Sequence, residues 1–275
     1  MTKVLKSDAI AEKLVVDLKD RIEKRKLKPI LSVIRFGADP ADLAYERGIK
    51  KSAEKLGIEV QVNELSRDES EESVLNLIKK VNGDDSLGGL LIFRPLPEHL
   101  DEEKINNTIS PSKDIDCMSP INKAKVYSGD ISGFIPLAPK AAVLLLEESG
   151  YSVDGKNCVI INHSSVVGKP LAMILLAKWA TVTLCHVKTK NLKEHTKGAD
   201  YVFTAMGRAE SLDESYFNEN SVLIDIGLSA NAEGKMRGDL KADSVDGKIE
   251  AYSPVPGGVG KITNLLLLEN VINYY

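Results

Sequence analysis

Cys158-Val-Ile-Ile-Asn-His-Ser-Ser-Val-Val-Gly-Lys-Pro170 is the stretch on which the fold turns. A short apolar run, Cys158 to Ile161, passes through polar residues into a segment opening on Pro170, a residue favoured in the first turn of a helix. A strand that gives way at once to a helix N-terminus presents backbone N–H groups to a phosphate. The glycine fingerprint of dinucleotide-binding turns is incomplete, because Asn162 stands at its first glycine and only Gly168 remains. Alone, the turn is equally a nucleotide site or a plain connection between two core elements.

The residues downstream repeat its rhythm. Strands are expected at 157–161, 180–186, 201–205, 222–226 and 249–252, with helices at 170–179 and about 191–197. That alternation is the pattern of a Rossmann-like, doubly wound domain with a parallel sheet. Upstream, Ser7-Asp8 is a candidate cap for a helix to about Arg25, with Ile10, Leu14, Leu18 and Ile22 on one stripe. Pro29 ends it. A strand at 30–36, a turn at Gly37-Ala-Asp-Pro40, a helix from about Ala41 to Leu56 stopped by Gly57, and a strand at 58–65 follow. A helix carrying Val74, Leu75, Ile78 and Val81 leads to a strand at 88–93. Residues 100–134 read as a largely irregular segment punctuated by Pro111, Pro120, Gly129 and Gly133, of the kind that is functional or bridges domains. A helix at 139–148 precedes the opening strand, and a last helix runs to about Asn273.

The 275 residues fit two α/β domains more naturally than one. Thirty-six basic against 40 acidic residues give a net charge of −4, which argues against nucleic acid as a partner. Cys117, Cys158 and Cys185 are widely spaced and odd in number, and read as buried free thiols in a reducing compartment. A charged N-terminus and the absence of a long apolar run predict a cytoplasmic protein without a membrane span. No His, Cys and carboxylate set has metal spacing.

Candidate chemistry gathers at a few places. The strand Thr181-Val-Thr-Leu-Cys runs into His186-Val-Lys188-Thr-Lys190 with no carboxylate. A basic end there suits a ribose 2′-phosphate, hence NADP rather than NAD, although an ordinary solvated loop has the same composition. His163 either touches the same phosphate or is a surface histidine, while Ser164 and Ser165 add donors at a helix N-terminus. Tyr45, Arg47 and Lys51 lie on one expected helix, on which Tyr45 and Ile49 share a face. Asp114-Ile-Asp116 orients a polar ligand or closes a turn. Pro254-Val-Pro256-Gly257-Gly258-Val-Gly260 combines stiff prolines with glycines that permit close approach to a flat ligand.

Together these motifs resemble the bifunctional methylenetetrahydrofolate dehydrogenase/methenyltetrahydrofolate cyclohydrolase family over nearly the whole chain. The similarity lies in Gly37-Ala-Asp-Pro with Tyr45, Pro95-Leu-Pro97, Pro111-Ser-Lys-Asp-Ile-Asp116, Ser164 through Pro170, Asp225-Ile-Gly227, Gly238-Asp239, and Pro254 to Gly260 with Thr263. The resemblance implies an N-terminal folate domain (1–135, completed by a C-terminal helix at 261–275), an NADP-binding domain (136–260), and a homodimer. It implies oxidation of 5,10-methylenetetrahydrofolate by NADP in one-carbon metabolism, then hydrolysis of the methenyl product to 10-formyltetrahydrofolate. By position, Tyr45 and the 254–260 loop would line the folate pocket and Asp116 would bond the pterin. Asn162, His163, Ser164 and Leu228 would contact the cofactor.

The departures fall on the hydrolytic half. Ile49 occupies the place of the family lysine, four residues after the tyrosine, and Phe93 that of a glutamine before Pro-Leu-Pro. Lys51 has its own counterpart in the family and is a poor substitute. Leu137-Ala-Pro139 replaces Cys-Thr-Pro, and Cys117 and Asn162 replace glycines. The expectation is a retained dehydrogenase with a weakened or absent cyclohydrolase, the alternative a non-catalytic paralogue that binds folate or nucleotide.

Overall fold

The computed structural model describes residues 1–275, which divide into two compact units. One comprises residues 12–125, 132–135 and 264–275; the other comprises 1–11, 126–131 and 136–263. The chain begins with β1 (Lys3–Val4) and α1 (Asp8–Arg25), followed by β2 (Ile30–Phe36), α2 (Pro40–Leu56), β3 (Glu59–Leu65), α3 (Glu71–Asn82) and β4 (Gly89–Ile92).

Strands β3, β2 and β4 form a parallel sheet in that order, with Val33 opposite Val62 and Leu91. Central β2 is buried along nearly its whole length, as a strand covered on both faces must be. Local chemistry sets the helix ends. Asp39 caps α2 by accepting from the Ala41 N–H at 2.9 Å, and Gly57 closes it in the left-handed region at φ 71°. Ser70 caps α3 by accepting from Ser73 N–H at 3.2 Å. The expected stripe of Val74, Leu75, Ile78 and Val81 packs with Ile34, Phe36, Leu90 and Ile92 in one core. Each large aliphatic side chain taken out of water there contributes roughly 1.5–3 kcal/mol.

The segment expected to be irregular holds two short helices, α4 (Glu102–Thr108) and α5 (Pro120–Tyr127). They span about two turns each and lie among Pro111, Pro120, Gly129 and Gly133, whose breaker signals outweigh so short a period. Asp101 caps α4 through Lys104 N–H. Between the two helices, Lys113 is fully buried, donating to the Asp84 carbonyl at 2.8 Å and to the Leu87 carbonyl, with its ammonium 3.7 Å from the Tyr274 ring centroid.

The second half contributes α6 (Leu137–Glu148), β5 (Asn157–Ile161), α7 (Gly168–Ala177), β6 (Thr181–Cys185), α8 (Leu192–Lys197), β7 (Tyr201–Thr204) and β8 (Val222–Asp225). A small antiparallel pair, β9 (Ser229–Ala230) and β10 (Met236–Arg237), precedes α9 (Ala242–Val245), β11 (Ala251–Tyr252) and α10 (Gly260–Tyr274). Six parallel strands make one sheet in the order β1-β11-β8-β7-β5-β6. The chain leaves β5 to one side for β6 and returns to the other for β7, so the switch point lies at the C-terminal end of β5.

Residues 1–11 differ from the expected boundary: β1 pairs with β11, Lys3 opposite Ala251, and so extends the second sheet. Two residues are too short to register as a strand from periodicity. The last twelve residues, 264–275, group with the first sheet. There Asn270 donates to the Ile115 carbonyl at 2.8 Å, and a Cβ at Gly88 would lie 2.6 Å from the Tyr275 ring. The three cysteines are free and buried. No helix is long and apolar enough to cross a membrane.

Candidate active site

In the first unit, Tyr45 on α2 and Phe93 after β4 meet with ring centroids 5.2 Å apart, tilted by 39°. Phe93 is buried, whereas Tyr45 keeps 42% of its surface open. The Tyr45 hydroxyl is set among protein atoms; that desolvation, with the negative Asp116 second, raises its pKa well above the ordinary phenol value. Ile49, one turn along, is 0% exposed and belongs with Glu46, Ala53 and Leu56 to the buried stripe of α2. The neighbouring cations do not replace it. Lys50 pairs with Glu46 at 2.6 Å, and Glu46 in turn accepts from buried Arg35 at 2.8 Å. Lys51 is exposed.

The Pro111–Asp116 motif divides its labour. Lys113 is spent on carbonyls, and the Asp114 carboxylate accepts from Met118 N–H, Ser119 N–H and the Asn122 amide at 2.7, 2.8 and 2.9 Å. Those bonds order the turn into α5. Asp116, two residues on, is not taken up in this way. Burial pushes its carboxyl up to about 7, with negative Asp114 adding and Arg94 and Lys123 opposing. Sequence reading passed over Arg94. Its guanidinium bonds Glu102 at 2.6 Å and Asn106 at 2.5 Å, while its buried Nε has no partner in the chain. Its position next to Pro-Leu-Pro was the available signal.

In the second unit, the 254–260 loop lines a cavity of about 470 Å³ with Asp225, Gly227, Leu228 and Thr263. Pro254, Pro256, Gly257 and Gly258 all contribute. Gly257 sits at φ 108°, and a Cβ on Gly258 would lie 2.6 Å from the Pro254 carbonyl oxygen, so both glycines are required. Ser7 stands at the N-cap position of α1, its carbonyl accepting from Ala11 N–H at 2.8 Å, while its hydroxyl donates to the Gly257 and Gly258 carbonyls at 3.0 and 2.8 Å and the Asp8 carboxylate pairs with Lys261. Nothing in the local sequence separates this role from a cap.

Asp225-Ile-Gly227 and Gly238-Asp239 interlock. Asp225 accepts from Gly227 N–H at 2.9 Å and Leu240 N–H at 2.8 Å; Asp239 accepts from the Thr204 hydroxyl at 2.7 Å and from Met206 and Arg208 N–H at 2.6 and 2.8 Å. A Cβ on Gly227 would stand 2.4 Å from the Asp239 carboxylate, and one on Gly238 would stand 2.1 Å from Asp225 Oδ2. Each glycine therefore makes room for the other motif's aspartate. Burial, with Asp239 as a secondary repulsive charge, pushes Asp225 up to about 7.

The turn after β5 lies at the switch point of this sheet. Asn162 Oδ1 accepts from the N–H groups of Ser164 and Gly168 at 2.8 and 2.9 Å, and its amide donates to the Ala205 carbonyl at 2.6 Å. Ser164 Oγ accepts from Val167 N–H at 3.1 Å. The side chain standing at the fingerprint glycine thus organises the turn itself and engages two of its N–H groups, one of them that of Ser164, expected as a phosphate donor. Gly168 tolerates no Cβ, which would fall 2.0 Å from the Asn162 carbonyl oxygen. His163 and His186, at the ends of β5 and β6, face each other with centroids 5.4 Å apart. Lys188 N–H donates to His186 Nδ1 at 3.1 Å. These two histidines with Lys188, and no carboxylate among them, fit a dinucleotide carrying an additional phosphate.

A Rossmann-like sheet with a polar turn at its switch point, joined to a second α/β unit with a tyrosine–carboxylate site, defines a two-domain nucleotide-dependent enzyme class. Residues 136–275 match the NAD(P)-binding domain of tetrahydrofolate dehydrogenase/cyclohydrolase, and residues 5–116 match its catalytic domain. The chain belongs to the tetrahydrofolate dehydrogenase/cyclohydrolase family. It is 46% identical over 276 residues to the bifunctional protein FolD of Clostridium botulinum, covering 99% of this chain and 98% of that one. The crystal structure of the bifunctional FolD methylenetetrahydrofolate dehydrogenase/cyclohydrolase of Campylobacter jejuni superimposes with a TM-score of 0.96 at 35% identity, covering 100% and 98% of the two chains. That of the Trypanosoma brucei enzyme, complexed with NADP and an inhibitor, gives 0.92 at 26% identity, covering 99% and 97%.

Proposed function

We propose that the protein oxidises 5,10-methylenetetrahydrofolate to 5,10-methenyltetrahydrofolate with NADP, and that it hydrolyses the methenyl product slowly or not at all. The family, its NAD(P)-binding domain and the NADP-bound Trypanosoma relative support the cofactor. His163, His186 and Lys188 would receive its charged end, and bound nicotinamide supplies the hydride acceptor. Hydride loss takes one hydrogen with two electrons from the methylene carbon and leaves a cationic amidinium bridge. The residues of this chain have little bond-making to do in that step; they hold geometry and exclude water. Asp116 would accept hydrogen bonds from the pterin ring, and its negative charge favours the developing cation. Tyr45 would form one wall of the same pocket. Pro254 to Gly258 would contribute backbone to the binding of a flat ligand.

Hydrolysis asks for more. Water must lose a proton as it adds to the methenyl carbon, and a ring C–N bond must then break to give the formyl group. The observation that carries the reading is the apolar face beside Tyr45: Ile49 is fully buried and Phe93 packs against the ring at a tilt. Neither can move a proton, and removal of a positioned acid–base group costs roughly 10²–10⁴ in rate. An Ile49→Lys variant tests the assignment. It is expected to gain methenyl hydrolysis while retaining hydride transfer; an unchanged hydrolysis rate in a folded variant counts against it.

A second reading, a paralogue that binds without turnover, draws on Asn162, whose side chain engages two N–H groups of the phosphate turn. Calorimetric titration with NADPH followed by a dehydrogenase assay separates the two, binding without turnover favouring the second. We also read the protein as a homodimer, which sedimentation equilibrium tests.

A further inference from the structure

We propose that Arg94 is a recognition residue of the folate site, donating through its Nε–H to the ring carbonyl of a 4-oxopyrimidine edge while Asp116 accepts from the adjacent ring N–H. The proposal rests on the folate reading above and adds to it a residue that lies beside, not within, the Pro-Leu-Pro motif.

Arg94 directly follows Phe93 beyond the C-terminal end of β4, the end at which parallel α/β sheets bind ligands. Two of its three nitrogens are clamped from α4: one terminal nitrogen by Glu102 at 2.6 Å, the other by Asn106 at 2.5 Å. Such a clamp fixes the plane of the guanidinium and hence the direction of the third N–H. That third donor, Nε, is buried and meets no acceptor in the chain. A guanidinium carries only donors and stays charged, so it cannot relieve this by accepting a bond or losing a proton. A buried N–H without an acceptor is a net cost to the fold and calls for a specific explanation, which an acceptor supplied by a ligand provides.

The second half of the geometry is Asp116. Arg94 lies close enough for its charge to act on both Asp116 and Asp114. Asp114 is committed to three donors, two in its own loop and Asn122 on α5. What remains is one uncommitted acceptor and one uncommitted donor in two residues whose charges act on each other. That pairing is complementary to a cyclic amide, where an N–H adjoins a C=O. It would also restore a polar contact next to Phe93, which has none to offer.

The test uses the full-length protein and two ligands that differ at ring position 4, folic acid (4-oxo) and its 4-amino analogue, aminopterin. Both are titrated calorimetrically into wild type, Arg94→Leu and Arg94→Lys, with NADPH titration and thermal melting as controls of folding. Wild type is expected to prefer the 4-oxo ligand by about tenfold or more, because a site built around a hydrogen bond rejects the analogue that cannot make it. Arg94→Leu should narrow that ratio at least fivefold, chiefly by weakening the 4-oxo ligand, with Arg94→Lys between the two. Should the leucine variant not fold, the lysine variant still has to narrow the ratio. Equal weakening of both ligands, or an unchanged ratio, overturns the proposal and leaves Arg94 a structural clamp. Failure of wild type to bind either ligand instead overturns the folate reading on which it rests.

Discussion

The loop region around Asp225, Asp239 and Pro254–Gly260 and the α2–β4 region around Tyr45, Ile49 and Phe93 have met opposite fates. In the first, every glycine of the family motifs is present and all but Gly260 have a structural reason: a Cβ at 227, 238 or 258 would run into a carboxylate or a carbonyl, and Gly257 sits at φ 108°. Positions 227, 238, 257 and 258 thus form a geometric lock, whereas position 260 has open space. In the second, the fold makes no such demand. Ile49 completes a buried helix stripe and Phe93 packs on Tyr45, so apolar side chains satisfy the local structure at least as well as polar ones. Residues held by packing persist with the fold.

Breaking the lock should have the largest effect. Gly238→Ala drives a methyl toward Asp225 and is expected to destabilise the protein by about 3 kcal/mol or more, seen as a large fall in melting temperature. Gly57→Ala, at a helix end with open space, should cost only about 1 kcal/mol from its positive φ.

Next comes Asp116. Its substitution by Asn should lower dehydrogenase kcat/KM roughly 10²-fold or more through loss of the charged acceptor. Stability should move the other way. With its carboxyl raised to about 7 from an ordinary 3.8, the folded protein holds a proton that the unfolded chain has released between those values. Stability therefore falls as pH rises through that window, and Asp225, also raised to about 7, acts in the same direction. Melting curves at about pH 5 and about pH 8 should show a smaller decline in Asp116→Asn than in wild type. An equal decline would place the pH dependence elsewhere.

A smaller effect is expected at the cofactor turn. Asn162→Gly releases the N–H groups of Ser164 and Gly168 and should tighten NADPH binding by roughly tenfold, at some cost from the lost bond to Ala205. Weaker binding would mean that Asn162 itself contacts the nucleotide. The smallest effect is at exposed Lys51, where alanine should change stability by less than about 0.5 kcal/mol and hydride transfer by less than about twofold.

The long elements were legible because period and punctuation agreed. Asp39, Pro40 and Gly57 delimit α2 in sequence as they do in space, and the stripe of α3 is its buried face. The two-residue strand β1 was not, since two residues hold no period, and α4 and α5 were hidden by the prolines and glycines that punctuate residues 100–134. At the site, sequence singled out Tyr45, Phe93 and Asp116, which share one unit, and the glycine loop, which lines a cavity in the other. It could not show that Ser7 holds that loop, because a serine before a helix reads as a cap. Nor could it show that Asp114 organises a turn while Asp116 stays uncommitted, a distinction that rests on which N–H groups converge.

The central claim is that the α2–β4 face supports hydride transfer without efficient hydrolysis. It is tested most directly by mixing the protein with 5,10-methylenetetrahydrofolate and NADP and following methenyl absorbance together with NADPH. The account predicts that the methenyl product accumulates nearly in step with NADPH and decays at close to the buffer rate. NADPH formation with no methenyl build-up, and 10-formyltetrahydrofolate appearing at the same rate, would contradict it.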